Sequence, residues 1–260
     1  MLELFTRMKS MVRWSNPWGA LSILIGLALW EILSRYVVSN SLFLASPTQI
    51  LAAIIHLTRT GELLYDISVS GIEFLVGYIV ASAFGIALGV AMAASEMFRR
   101  MAQPWVSGLY ATPIIALAPL FILWLGIGIW SKVFVVASLV VFPVIINTEA
   151  GLKVTSPRLI EMLRSFNARP AQIFFKLSLP SAMPFLLAGL RIGIGRGLIG
   201  VVVGELFGAR AGLGRLISQS AESFNMPELF AGVVVLAAAG IILTAAFEAL
   251  ERKLVPWTRD

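Results

Sequence analysis

The sequence predicts an all-α integral membrane protein with six transmembrane helices, and three observations lead to this prediction. Hydrophobic residues make up 58% of the 260 residues and charged residues only 13%, which leaves too little polar surface for a globule in water. Six apolar stretches each approach the roughly 20 residues that a helix needs to cross a bilayer. The basic residues are distributed unevenly between the segments that join these stretches. We therefore expect the whole chain, 1–260, to form a single transmembrane domain.

The six predicted spans run roughly over 18–38, 67–94, 104–125, 130–148, 181–205 and 229–250. If the amino terminus is inside, thirteen basic residues lie in inner segments: Arg7, Lys9, Arg13, Arg99, Arg100, Lys153, Arg158, Arg164, Arg169, Lys176, Arg252, Lys253 and Arg259. Five lie in outer segments: Arg35, Arg59, Lys132, Arg210 and Arg215. This excess predicts that both termini and the segment 151–180 lie in the cytoplasm.

The region up to the second span carries two local signals. Ser46 and Pro47 precede a short amphipathic helix, which we expect at the outer surface of the membrane. In the second span Gly85 and Gly89 are four residues apart, a spacing that lets two helices approach closely. Glu73, near the outer end of this span, fits an interfacial residue that packs or snorkels, and a role in transport is the alternative.

The third span contains two prolines, Pro113 and Pro119. Each removes a backbone hydrogen bond from an apolar helix, so the span should bend. Bent helices often line pathways through membranes, and both prolines are therefore candidates to line one. A packing kink without such a role is the alternative.

The fifth span combines small residues with charge. Two glycine ladders with a step of four should give smooth faces for helix packing: Gly189, Gly193, Gly197 and Gly200, Gly204, Gly208. Arg191 and Arg196 lie inside this span, and Glu205 lies near its outer end. Because burying charge is costly, each needs a counter-charge, a backbone carbonyl or a watery cavity. The three residues are candidates to line a pathway, with structural pairing as the alternative.

The segment from Pro157 to Pro180 concentrates charge between two apolar spans. Pro157 suits the first position of a helix capped by Ser156. One face of this helix carries four large apolar residues: Leu159, Met162, Leu163 and Phe166. Asn167 tolerates a left-handed backbone and can end the helix, after which Pro170 can open a second short helix that Pro180 stops.

Two helices this short are not stable alone, so we expect them to lie on a surface or in a groove of a partner protein. Arg158, Glu161 and Arg164 face away from the apolar side. Glu161 can pair with a basic group of that partner, and the alternative is local pairing with Arg164 or Ser165 on a solvated helix.

Several functions are excluded or disfavoured by the composition. The chain has no cysteine and one histidine, so no metal site is expected from thiolates or from clustered imidazoles, and no cofactor is expected. No Gly-Lys pair is present, which excludes a nucleotide-binding P-loop, so the chain should not be an enzyme that hydrolyses ATP by itself. The basic residues form no compact patch for nucleic acid.

The order of Glu161, Asn167 and, nine residues later, LSLP at 177–180 resembles the Glu-Ala-Ala loop of permease subunits in bacterial ABC importers. Met162 and Leu163 replace the two alanines of that motif, and Asn167 replaces its glycine. Further stretches look like the nitrate/sulfonate/taurine-type permease subfamily: SPTQI, TPIIALAPLFILWLGIGIWSK, FPVIINTEAGL, LPSAMPFLLAGLRIGIGRGLIGVVVGE and AGLGRLI. The resemblance covers most residues from about 46 to 255.

This resemblance implies a type I importer fold in a bacterial inner membrane, with a second permease subunit to form a dimer, cytoplasmic ATPase subunits and an extracytoplasmic solute-binding protein. The solute would be a nitrate-, sulfonate- or taurine-like anion or a thiamine precursor. The residues implied in coupling to the ATPase are Glu161, Leu163, Arg164, Phe166, Asn167 and Pro180. A secondary transporter or channel that works without an ATPase, or a membrane scaffold, is the alternative.

Overall fold

The computed structural model describes residues 17–38 and 42–256, and this part of the chain contains eleven α-helices and no β-strand. They are α1 (Pro17–Ile32), α2 (Pro47–Thr60), α3 (Glu62–Ala94), α4 (Glu96–Ala111), α5 (Ala118–Leu125), α6 (Ile129–Lys153), α7 (Pro157–Ser165), α8 (Pro170–Ile173), α9 (Leu179–Leu206), α10 (Leu213–Glu222) and α11 (Met226–Leu254). A π-helical turn, Leu33–Val37, follows α1, and another, Phe174–Ser178, joins α8 to α9. The all-α prediction is confirmed.

Five helical stretches are long and apolar enough to cross a membrane: Pro17–Val37, Glu62–Ala94, Ile129–Lys153, Pro170–Leu206 and Met226–Leu254. A sixth candidate is the pair Glu96–Ala111 and Ile114–Leu125, which meet at an angle of 79°. The six predicted spans correspond to these five helices and the bent pair. The helices extend beyond the predicted limits because polar residues at their ends, such as Glu62 and Lys153, continue the helix past the apolar stretch.

The third span is broken rather than smoothly bent. The break lies between α4 and the 3₁₀ turn Ile114–Leu117, at Pro113. Pro119 causes no second bend, because it lies in the first turn of α5, where its missing N–H has no partner to lose. The prediction of a bend is thus right for Pro113 and wrong for Pro119.

The helix expected to stop at Pro180 continues instead into the fifth span. From Pro170 to Leu206 the chain is helical without a break, with the π turn Phe174–Ser178 just before α9. Pro180 lies inside this continuous helix, two residues beyond the π turn. The wider π turn ahead of it relieves the clash that a proline ring makes with a preceding carbonyl.

The described residues form two compact units. The first comprises residues 1–71 and 208–249, and the second residues 72–207 and 250–260, of which 1–16, 39–41 and 257–260 lie outside the described part. In the first unit α1, α2, α10 and α11 surround a core of Ala45, Ile50, Leu57, Leu63, Leu213, Leu216 and Ala231. Ser46 begins α2 with a capping box, as its side chain accepts from the N–H of Gln49 and the Gln49 side chain accepts from the Ser46 N–H.

Helix α10 in the first unit takes its caps from α3. Its N-cap residue, Gly212, has no side chain, and the Gly212 N–H donates to Asp66 Oδ1 at 2.7 Å. The N–H of Leu213 donates to Ser70 Oγ at 2.8 Å. Asp66 and Ser70 are buried, so these bonds satisfy the otherwise unpaired N–H groups of the first turn.

The core of the second unit depends on close helix contacts at glycines. A Cβ atom at Gly77 or Gly89 on α3 would come within 2.7 Å of α6 side chains. On α9 the backbone approaches α6 at Gly189, Gly193, Gly200 and Gly204, and meets Phe74 of α3 at Gly197. The two predicted ladders thus form one continuous face. Gly208 is not part of it, because α9 ends at Leu206 and Gly208 has a φ of 127°.

Candidate functional site

The end of α7 has the geometry that its sequence predicts. Pro157 is the first residue of the helix after the N-cap Ser156, although the Ser156 side chain makes no capping hydrogen bond. Asn167 has a φ of 61°, in the left-handed region. Its N–H donates to the carbonyl oxygen of Arg164 at 2.8 Å, and the N–H of Ala168 donates to that of Leu163 at 3.0 Å. This pair of bonds is a Schellman motif, which fixes the direction in which the chain leaves α7.

The apolar side of α7 is uncovered by the described residues. No residue of this helix is buried. Leu159, Met162 and Phe166 are 44%, 47% and 77% exposed, and Leu163 is half-buried. A nine-residue helix that leaves so much apolar surface exposed has the character of an interaction surface.

Glu161 lies on the same short helix, and its carboxylate forms no ion pair within the described part of the chain. The Ser165 hydroxyl donates to the backbone carbonyl of Glu161 at 3.0 Å, not to its carboxylate. Arg164 is exposed and does not pair with Glu161. The residues Glu161, Leu163, Arg164, Phe166 and Asn167 are therefore brought together at one helix end, whereas Pro180 lies further along, at the start of α9.

Three buried charged residues lie together in the second unit. The sequence analysis did not predict that they would form a cluster. Glu73 of α3, Lys132 of α6 and Glu205 of α9 are each at most 4% exposed. The side chains of Glu73 and Glu205 are hydrogen-bonded to each other. The positive charge of Lys132 attracts both carboxyl groups electrostatically. Lys132 Nζ also donates to the carbonyl oxygens of Ile127 and Gly128.

This cluster corrects one interpretation, because Lys132 is a buried residue of α6 and not part of an exposed outer segment. Glu73 is buried, so of packing and snorkelling its side chain does the former. One signal in the sequence could have predicted this cluster: Glu73 and Glu205 both interrupt apolar helices. A buried carboxylate requires a partner of opposite charge. Pairing within the cluster is the structural role that the sequence left open for Glu205.

The other candidate pathway residues are separate from this cluster. Arg191 forms an ion pair with Glu251, near the end of α11. Arg196 is exposed on α9. Pro113 lies at the break of the third span and Pro119 in the first turn of α5. The structure therefore does not gather the five predicted pathway residues into one site.

A chain with five long apolar helices and a bent sixth pair is a multi-pass membrane protein. Residues 81–260 match the family model for the binding-protein-dependent transport system inner membrane component. The chain belongs to this family, and it is a transmembrane permease subunit of an ABC importer in the inner membrane.

Three relatives align along nearly the whole chain. The formylaminopyrimidine transport permease protein ThiX of Halalkalibacterium halodurans is 35% identical over 240 residues, 92% of this chain and 95% of that protein. The putative aliphatic sulfonates transport permease protein SsuC of Bacillus subtilis is 30% identical, over 92% of this chain and 87% of its own. The taurine transport system permease protein TauC of Escherichia coli is 30% identical, over 92% and 88%.

Solved structures support the fold. The MetNI methionine ABC transporter in an inward facing conformation matches with a TM-score of 0.61 and 21% identity, over 74% of this chain and 95% of that chain. An amino acid ABC transporter crystallised with histidines matches with a TM-score of 0.57 and 18% identity, over 77% and 97%. The chain thus has the type I ABC importer permease fold, as the resemblance in its sequence implied.

Proposed function

We propose that α7 and the residues up to Pro180 form a cytoplasmic coupling loop through which a separate ATPase drives this permease. The observation that carries the proposal is the exposed apolar side of α7, which ends in the left-handed turn at Asn167. In this arrangement Phe166 and its apolar neighbours occupy a groove of the ATPase, and Glu161 pairs with a basic group across the interface. Asn167 sets the direction from α7 to α8, so movement of the ATPase is passed to the helix that continues into α9.

The orientation follows from the distribution of basic residues. We propose that both termini and α7 are cytoplasmic, which places the larger set of basic residues inside. Burial of Lys132 removes it from the outer set and strengthens the asymmetry. Arg7, Lys9, Arg13 and Arg259, which belong to the inner set, lie outside the described residues. A cysteine placed at Ser165 should be labelled by an impermeant thiol reagent only from the cytoplasmic side, and labelling from outside would contradict this orientation.

The assembly that we propose has two permease subunits, most simply two copies of this chain, with α9 nearest their shared axis. Each copy acts as one permease domain. A separate pair of subunits hydrolyses ATP, and an extracytoplasmic binding protein delivers the solute. The named functions of the relatives suggest either an organosulfonate- or taurine-like anion or a formylaminopyrimidine-like thiamine precursor. Of the predicted pathway residues, Pro113 and Arg196 fit this role best, because Arg191 and Glu205 have counter-charges or partners within the chain.

The test compares substitutions that alter coupling with one that should not. Glu161→Ala removes the charge, and Asn167→Val places a β-branched residue where φ is positive, which distorts the turn. Asn167→Gly is the control, since glycine adopts this conformation without strain. The measurements are solute uptake and ATP hydrolysis stimulated by the binding protein, in membranes with equal amounts of assembled transporter.

We expect Glu161→Ala to lower both activities at least about tenfold, the effect of losing a charge-assisted contact worth about 1.5 to 3 kcal/mol. Asn167→Val should also lower both activities, because the strained turn misdirects α8. Asn167→Gly should behave like the parent protein. If Glu161→Ala and Asn167→Val assemble and transport normally, α7 is not the coupling element.

A further inference from the structure

One arginine of the second unit lies inside an apolar helix and has no described counter-charge. Arg196 is in the second half of α9, well before the helix ends at Leu206. Its side chain is exposed, and no described carboxylate lies within 4.0 Å of it. The other charged residues in the long helices of this unit, away from the start of α4 and the end of α11, have partners: Glu73, Lys132, Glu205, Arg191, Glu149 and Lys153.

In a second copy of the chain, the second unit offers Arg196 no unengaged carboxylate among its described long helices. It would bring the same long helices, in which the described carboxylates of this unit are already engaged with Lys132, Arg191 or Lys153. The described carboxylates of this unit therefore offer no counter-charge for Arg196, which points to another molecule or to hydration of the guanidinium. In either case its surroundings are not purely lipid, because a guanidinium in the hydrocarbon region is costly.

The surface around Arg196 has room for a ligand. Ile192, Gly195, Arg196 and Ile199 follow the spacing of a single helical face. Ile192 and Ile199 are each 48% exposed. A Cβ atom at Gly195 would have no neighbour within 4 Å, in contrast to the glycines that pack against α6. The chain thus leaves open space at the helix surface next to Arg196.

We propose that Arg196 is an anion-binding residue of the translocation pathway and that the transported solute carries a sulfonate, carboxylate or similar anionic group. A guanidinium is always charged and presents several N–H donors in one plane, which matches the oxygens of such groups. This inference rests on the proposed pathway along α9, and it narrows the two solute classes suggested by the relatives to the anionic one. A neutral aminopyrimidine would leave the guanidinium uncompensated.

The test uses the absence of cysteine from the sequence. Ile199→Cys places a single thiol of the permease one turn from Arg196 on the same face. The assembled transporter in proteoliposomes is treated with two membrane-impermeant methanethiosulfonate reagents, one carrying a sulfonate and one a quaternary ammonium, and modification of the permease is followed by mass. The same thiol is examined with Arg196→Gln and with Arg196→Lys. Ile79→Cys, on a 61% exposed position of α3, is the control for a lipid-facing site.

We expect the sulfonate reagent to be favoured over the ammonium reagent at Ile199→Cys, and this preference to fall at least about tenfold with Arg196→Gln. Arg196→Lys should retain most of it. Millimolar ethanesulfonate should slow the sulfonate reagent when Arg196 is present and have no effect with Arg196→Gln.

Two different results would overturn the inference. If neither reagent modifies Ile199→Cys, as expected for Ile79→Cys, this face of α9 does not border water and the proposed pathway is wrong as well. If both reagents react but Arg196→Gln leaves their ratio unchanged, the pathway stands and the anion recognition does not. Neither result depends on coupling through α7, which the Glu161→Ala experiment tests separately.

Discussion

The packed interior of the second unit and helix α7 differ in whether their charged and apolar side chains have partners within the chain. In the interior, charged groups such as Lys132 and Glu205 meet partners, and glycines bring α9 into contact with α6. On α7 large apolar side chains such as Phe166 remain exposed, and Glu161 forms no ion pair among the described residues. The interior is complete within one chain, whereas α7 is the surface that we propose a partner completes.

This difference separates two kinds of mutational effect. Substitutions in the interior should lower the free energy of unfolding, because they break contacts that the chain makes with itself. Substitutions on α7 should leave stability nearly unchanged and alter attachment of the ATPase. Four measurements would sharpen or break this contrast.

The largest effect on stability is expected at Lys132. Lys132→Met removes the positive charge from a site that buries two carboxyl groups, and breaking a buried pair costs about 3 to 5 kcal/mol. Thermal unfolding of the purified permease in detergent should show the loss. Lys153→Met provides the control, since Lys153 forms only a partly exposed pair with Glu149, four residues away, worth about 0.3 to 0.5 kcal/mol. Equal stability of the two variants would mean that the buried cluster does not stabilise the fold.

A second prediction compares the same substitution at two glycines of α9. Gly200→Ala would place a Cβ atom 2.9 Å from Val136 Cα, so α6 and α9 must separate, at a cost of about 1 to 3 kcal/mol. Gly195→Ala meets no atom within 4 Å and should be neutral or stabilising by up to about 1 kcal/mol through helix propensity. Unfolding temperatures of the two variants give the comparison. If Gly195→Ala is the more destabilising of the two, the assignment of packed and open faces is wrong.

A smaller effect is expected in the first unit. Ser70→Ala removes the acceptor for the N–H of Leu213, and loss of a cap costs about 1 kcal/mol. Ser68→Ala, two residues away on the same helix, removes only a bond to the Tyr65 carbonyl and should change stability by less than about 0.5 kcal/mol. Hydrogen exchange of the α10 amides should increase in Ser70→Ala alone, and unchanged exchange would show that this bond does not hold α10.

The smallest effect on stability is expected on α7. Phe166 is 77% exposed, so Phe166→Ala should change the unfolding free energy by less than about 0.5 kcal/mol. If it occupies a groove of the ATPase, the same substitution should weaken association of the two subunits by about 2 kcal/mol or more. Phe84→Ala, at a 62% exposed position of α3, should leave association unchanged. If Phe166→Ala lowered the free energy of unfolding and left association with the ATPase unchanged, α7 would behave like the interior and the contrast would be wrong.

Much of the fold could be predicted from the sequence because its signals are local. Apolar length predicts the spans, Pro157 marks the start of α7, and Asn167 its left-handed end. The errors arose where a proline had more than one outcome. Pro119 read as a bend but lies in the first turn of α5, where the missing N–H matters little. Pro180 read as a stop, but the π turn Phe174–Ser178 accommodates it within a continuous helix.

The charged residues were harder to place, because their environment depends on contacts distant in the sequence. Lys132 follows a glycine-rich turn and resembles a residue of an exposed segment, yet it is buried by α3 and α9. Its partners, Glu73 and Glu205, come from helices far apart along the chain, and no spacing rule links them. The opposite holds for α7, whose candidate residues are neighbours in sequence and could be found from the sequence alone.

The capping of α10 by α3 has a consequence for how the chain folds. The residues that cap it, Asp66 and Ser70, precede their donors by 146 and 143 positions. A ten-residue helix is marginal by itself, so α10 gains its first turn only when the returning chain meets the start of α3. The carboxylate and hydroxyl that complete this turn are therefore synthesised long before the segment that needs them. Formation of α10 is accordingly a late event in biogenesis. It marks the point at which the segment around Gly212 has packed against the start of α3.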